Sequence, residues 1–162
     1  MIQDAAGGQM VESQFKLSLP TSWIPIDALG DSVTEAVRVG DDLEKDALLR
    51  LESKSYSGHL TATNVADQFI GHAVVENPHL TITQAVDHQE NGSSQAIRIA
   101  VDDSTGEEMD YAFVFIAEPC EDVRSRVVPQ LTLTWSARDS DALKPELDHV
   151  IESFRFTPPT SP

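Results

Sequence analysis

Disulfides, membrane-spanning runs and catalytic signatures are all missing from this 162-residue chain. Cys120 is its one cysteine, so no intrachain disulfide can form. Glu118, Glu121 and Asp122 surround it and disfavour a thiolate, so it reads as a small half-buried side chain and not a nucleophile. No stretch nears the ~18 apolar residues of a membrane span. The opening MIQDAAGGQM has neither the basic n-region nor the apolar h-region of a secretion signal. A chain whose native start is Met1 is therefore expected in the cytoplasm, and one with residues upstream is expected to be exported or envelope-associated.

Basic residues are scarce: 11 against 27 acidic ones, a formal net charge of -16. Residues 1–81 hold 12 acids and 5 bases and residues 82–162 hold 15 and 6, so the acidity is spread and is not a tail. A field of this sign repels phosphate backbones and anionic lipid, and it favours basic partners or cations. Nucleic acid is thus not an expected partner, and solubility alone accounts for much of the charge.

Chemistry-bearing motifs are absent too. None of His59, His72, His79, His88 and His149 forms an i, i+4 pair or a His-Glu-x-x-His arrangement, so no metal is expected. The acidic run Asp102 to Glu108 has its glycine misplaced for a calcium loop and reads as a solvated hairpin tip. There is no Gly-x-Ser-x-Gly elbow. Asp148 and His149 are helix neighbours that point to different sides, which argues against a relay. Gly7-Gly8 lacks the strand and helix of a phosphate loop. No cofactor is expected, and the chain does not read as an enzyme.

What is present is a pattern of strands and two helices. Phe15, Leu17 and Leu19 alternate with polar residues, and Pro20-Thr21-Ser22 turns the chain before Trp23, Ile24 and Ile26, which predicts an N-terminal β-hairpin. Val33 to Val39 and residues 47–56 are further strands, although Asp42 to Leu51 also tolerates a helix. Thr61 or Thr63 caps a helix with Val65, Phe69, Ile70, Ala73 and Val74 on one side, ended by Asn77-Pro78.

Leu80 to Val86 alternates again. Asn91-Gly92 suits a type I′ turn, which also explains the Asn91-Gly92-Ser93 glycosylation sequon, and residues 95–101 pair back. Met109 to Ala117 is apolar on both sides, with Tyr111, Phe113 and Phe115 opposite Ala112, Val114 and Ile116, so this strand is central and covered twice.

Leu131, Leu133 and Trp135 line one face of a late strand. Asp139, Ser140 and Asp141 offer caps for a helix carrying Leu143, Leu147, Val150, Ile151 and Phe154, with Pro145 expected in its first turn. Residues 1–13 and 158–162 read as tails around a single domain over 14–157. The fold class is α+β: a single antiparallel sheet with an N-terminal hairpin and two main helices packed on it.

FKLSLPTSW resembles the aromatic–aliphatic–Leu-Pro-x-x-Trp hairpin of the PsbP-like α/β sandwich superfamily. LTLTWSARDSDALKPELDHVIESFRF resembles its terminal strand, acidic turn, helix and Ser-Phe-aromatic end. The resemblance covers about residues 14–157 and is nearest the bacterial LpqN/DcrB-type branch of envelope lipoproteins and chaperones of secreted effectors. It implies a non-enzymatic binding module in an α/β/α sandwich. The chain shows no lipobox cysteine and no transit region, and no functional residue of the family maps onto it.

Together these features lead to a non-catalytic protein-interaction domain, secretion- or envelope-associated. The expected partner is a protein, either basic or presenting a hydrophobic segment, with a homodimer also open. The alternative is a carrier of a small apolar or lipidic ligand, with Trp23, Phe69 and Trp135 at the cavity wall. Core packing is the competing reading for the two tryptophans.

Overall fold

The computed structural model describes residues 8–11, 15–30, 33–40, 45–56, 60–90, 93–104, 106–117 and 126–156. Cys120, His59 and the Asn91-Gly92 turn fall outside them. Among the described residues, ten strands and two α-helices follow in the order β1 (Gly8–Val11), β2 (Phe15–Leu19), β3 (Trp23–Gly30), β4 (Val33–Val39), β5 (Lys45–Tyr56), α1 (Ala62–Glu76), β6 (Leu80–Glu90), β7 (Ser93–Asp102), β8 (Met109–Ala117), β9 (Arg126–Ser136), α2 (Ser140–Ser153) and β10 (Arg155–Phe156).

Seven strands form one antiparallel sheet in the order β3-β4-β5-β9-β8-β7-β6, and β1, β2 and β10 form a small second one. The antiparallel α+β class and the four-stranded meander β6 to β9 are as the alternation predicts. Period-2 patterning decides residues 47–56 in favour of strand: Leu49 and Leu51 point into the core while Leu48 and Arg50 face out. Pairing of β9 with β8 reaches only to Gln130, the residue after Pro129, while pairing with β5 runs on past Pro129, which stands opposite Ser53. Proline can be tolerated there because its missing N–H faces no β8 partner.

Three expectations need correction. The hairpin between β2 and β3 does not form: β2 pairs with β1 and β10, and β3 pairs with β4. Pro20-Thr21-Ser22 turns the chain from the small sheet into the large one, held by the Trp23 N–H on the Pro20 carbonyl at 3.1 Å. Gly8–Val11, read as tail, is strand β1. Pro145 is the sixth residue of α2 and lies beyond its first turn, because a 3-10 turn at Ala137–Asp139 brings the helix start back to Ser140.

The helices lie on opposite faces of the large sheet. On one face, Leu143, Leu147, Val150 and Phe154 close over Ala112, Val114, Leu131, Leu133, Leu49 and Trp135, with Leu17 and Leu19 of the small sheet alongside. On the other, Val65, Ala66, Phe69 and Ile70 of α1 pack on Ala96, Ala100, Phe113 and Phe115. Strand β8 is therefore buried on both sides from Ala112 to Ala117, as its two-sided apolar pattern predicts. A capping box starts α1: the Thr61 hydroxyl accepts from the Asn64 N–H and the Asn64 side chain accepts from the Thr61 N–H, both at 3.1 Å.

Candidate interaction surface

Each helix is pinned to the sheet by an arginine. Arg98 of β7, with a side chain only 5% exposed, donates to Asp87 of β6 at 2.8 Å and to Asp67 of α1 at 3.2 Å. Burial alone would disfavour its charge, but the two carboxylates outweigh that and raise its pKa. Arg38 of β4 does the same for α2. It donates to Glu146 through Nε and Nη2 and to Asp46 of β5 through Nη1 at 2.6 Å. The Trp23 indole N–H joins at Glu146, 3.1 Å away.

These braces settle what the helices leave open. On its face, α1 packs on β6, β7 and β8. On the half made by β3, β4 and β5, α1 meets the far end of β5, where Lys54 lies 5.9 Å from the Phe69 ring centroid and Tyr56 packs on the α1 cluster. Ile24, Val37 and Leu48, level with the other end of β5, are not in that cluster. Register sets them in a row: Ile24 faces Val37, Val37 faces Leu48, Leu48 faces Thr134, and Thr134 faces Tyr111. Ile24 is 43% and Leu48 38% exposed, with Val37 buried between them at 8%. An apolar strip thus crosses the strands in the open.

Charge borders this strip unequally. On one side, the next row brings Glu35 opposite Arg50, an opposite-charge cross-strand pair. On the other side stands the turn between β7 and β8, with Asp102, Asp103, Glu107 and Glu108. Two observations put that turn beside the strip. The Ser136 hydroxyl, two residues past Thr134, donates to Glu107 at 2.8 Å. Burial raises the Tyr111 phenol pKa, and the charge of Asp102 raises it further. Asp102 is itself held below the usual carboxylate range, first by the Ser104 backbone N–H at 2.8 Å, then by the Ser104 and Asn77 side chains. Gly106 takes the positive φ of 84° that closes the turn.

The three residues expected at a ligand wall are not brought together. Trp23 and Trp135 are buried on the α2 face, and their indole N–H groups donate to Glu146 and Ser140. Phe69 lies on the α1 face, its ring centroid 5.0 Å from that of Phe113 and 5.5 Å from that of Phe115. The sheet separates them. The N-cap of α2 is Asp139, which makes no side-chain cap bond, and Ser140, the first helical residue, accepts from Trp135.

His149 meets a residue that sequence spacing could not suggest: its Nε2 lies 3.2 Å from the Ser18 hydroxyl. The Ser18 N–H, however, is taken by the Ser153 hydroxyl at 2.8 Å, and Asp148 pairs with Lys144, not with the imidazole. The group ties β2 to α2. Among the described residues no cluster of three or more His, Cys, Asp or Glu is arranged to hold a metal ion. Among the same residues no helix is long and apolar enough to cross a membrane.

No family profile matches the chain, and no curated protein matches it in sequence. Solved structures do match it in fold. LpqN of Mycobacterium tuberculosis, involved in cell envelope biogenesis, superposes with a TM-score of 0.67 at 15% identity over 94% of this chain and 86% of its own. Cyanobacterial PsbP from Synechocystis gives 0.67 at 15% identity over 96% and 95%. The Ran-binding protein Mog1p of Saccharomyces cerevisiae gives 0.58 at 10% identity over 92% and 94%. The chain has a PsbP-like fold.

Proposed function

We propose that this chain is a non-catalytic protein-binding domain that docks its partner on the uncovered part of the α1 face. The observation that carries the reading is the strip Ile24–Val37–Leu48: two exposed aliphatic side chains in register on either side of a buried valine, on the α1 face but away from β6, β7 and β8, the strands on which α1 packs most among the described residues. Scattered single apolar residues at a surface need no explanation, whereas an aligned row does. The LpqN and Mog1p likenesses support a binding or accessory role, in the envelope for the one and with a protein partner for the other.

The reading is tested by site-specific photocrosslinking in the native cell. A photoreactive residue at Ile24 or Leu48 yields a discrete adduct, and one at Asp148 on the outer side of α2 yields none. Adducts only from Asp148 would move the interface to the other face and overturn the proposal.

A further inference from the structure

The chemistry of the occupant follows from what borders the strip, and the inference rests on the docking face just described. We infer that the uncovered part of the sheet receives a cationic amphipathic helix belonging to a protein partner, laid across β3, β4, β5 and β9.

Spacing supports a helix. Ile24 and Leu48 are two strands apart, about 10 Å at the usual separation of strands. Residues i and i+7 of a helix are about 10.5 Å apart along its axis, so an i, i+3/i+4, i+7 stripe sets one side chain by Ile24, one above Val37 and one by Leu48. The row continues two strands further to Tyr111, giving about 19 Å in all, or roughly 13 residues of helix. A helix lying along β5 would instead meet the column Leu48, Arg50, Glu52 and Lys54, which is charged at three of four positions, whereas the row across the strands, Ile24, Val37, Leu48, Thr134 and Tyr111, carries no charge.

Charge supports a cation. The flank on the Glu35 side presents a carboxylate and a guanidinium in register and is close to neutral. The flank at the β7–β8 turn presents Asp102, Asp103, Glu107 and Glu108. Among the described side chains, the cations paired with it are Arg138, 3.7 Å from Glu107, and His79, 3.6 Å from Asp103 and charged only when protonated. Lysines or arginines on one flank of the helix meet these carboxylates while its leucine-like side chains cover the strip. An acidic helix would face the same carboxylates with like charge, in a chain already at net -16.

The test uses the full chain, isotopically labelled, titrated with four 18-residue synthetic peptides and followed by amide shifts. One is an amphipathic Leu/Lys helix, one is its scrambled sequence, one replaces Lys by Glu, and one replaces Lys by Gln. The expected result is that the Leu/Lys helix binds about tenfold or more tighter than the other three, shifting Val37, Leu48 and Thr134. Leu48→Glu removes that binding, while the triple change Asp103→Asn, Glu107→Gln, Glu108→Gln weakens it several-fold and flattens its salt dependence.

Equal binding of the scrambled peptide, or shifts confined to the outer side of α2, marks non-specific attraction to an acidic protein and overturns the inference. Tighter binding of the Gln or Glu peptide overturns the cationic occupant. If that happens while Ile24 and Leu48 still crosslink to the native partner, the docking face stands without this occupant. If neither measurement depends on Leu48, both fall.

Discussion

Arg38 and Glu146 join the end of β4 to α2, with the guanidinium Nε and Nη2 at 3.0 and 2.7 Å from one carboxylate oxygen. Both side chains are largely buried, and the two residues are 108 positions apart in the chain. A forked pair of charge-assisted bonds in a partly dry site resists helix sliding better than apolar contact does, because it is directional. Asp46 and the Trp23 indole complete the clamp: Glu146 accepts from β3 and β4, and Arg38 ties in β5 through Asp46.

Glu146→Gln should therefore cost about 2 kcal/mol in urea unfolding, since it leaves a partly buried guanidinium short of a charged partner. Arg38→Met with Glu146→Met should recover much of that loss, as replacing both partners removes the unpaired charge. Strict additivity in the double-mutant cycle would show that the pair does not couple.

The Ile24, Val37 and Leu48 row gives an internal control. Val37→Glu buries a charge at a position 8% exposed and should destabilise by about 3 kcal/mol or more. Ile24→Lys and Leu48→Glu, at exposed positions, should stay within about 0.5 kcal/mol while abolishing the crosslink to a partner. Equal destabilisation by all three would make the row ordinary core.

Little of this surface could be read in the chain alone, for a physical reason. Alternation tells which residues share a face, and Met109 to Ala117 was legible as two-sided because both its faces are apolar. It does not tell which half of a sheet a helix will cover. Ile24, Val37 and Leu48 look like any core stripe until the register places them on β3, β4 and β5, away from α1.

The β2 strand shows the same limit: its alternation is real, but partner choice depends on Gly8–Val11 and Arg155–Phe156, 140 residues apart in part, which no local pattern links. The tryptophans were legible as core anchors. Their separation from Phe69 by the sheet was not, because parity across strands needs the pairing.

Asp102 makes a pH prediction whose sign is set by its hydrogen bonds. Its folded pKa lies below the ordinary value, so it contributes stability above the unfolded carboxylate pKa, near 4, and loses that contribution as pH falls through the lower folded value. Carboxyl NMR titration should find Asp102 titrating below the ordinary aspartate value. Ser104→Ala and Asn77→Ala should each raise it part of the way, the Ser104 backbone N–H holding the rest. An Asp102 that titrates at or above the ordinary aspartate value would contradict the turn geometry.

Pro145 offers the last test, because its place in α2 is a conflict between local rule and tertiary packing. As the sixth helical residue it has no N–H to give the Asp141 carbonyl, one turn back, and its ring crowds that carbonyl. Interior proline costs roughly 3 kcal/mol relative to alanine, and its stiffening of the unfolded chain returns somewhat under 1 kcal/mol. Pro145→Ala should therefore stabilise by about 2 kcal/mol. Pro145 is exposed, so no core contact is lost. The gain should appear in amide exchange as slower opening of Leu143 to Leu147, with the Arg38 to Glu146 clamp unchanged. A neutral or destabilising result would mean that the proline bends α2 onto Leu131 and Leu133, and that the curvature of the helix is part of the packing.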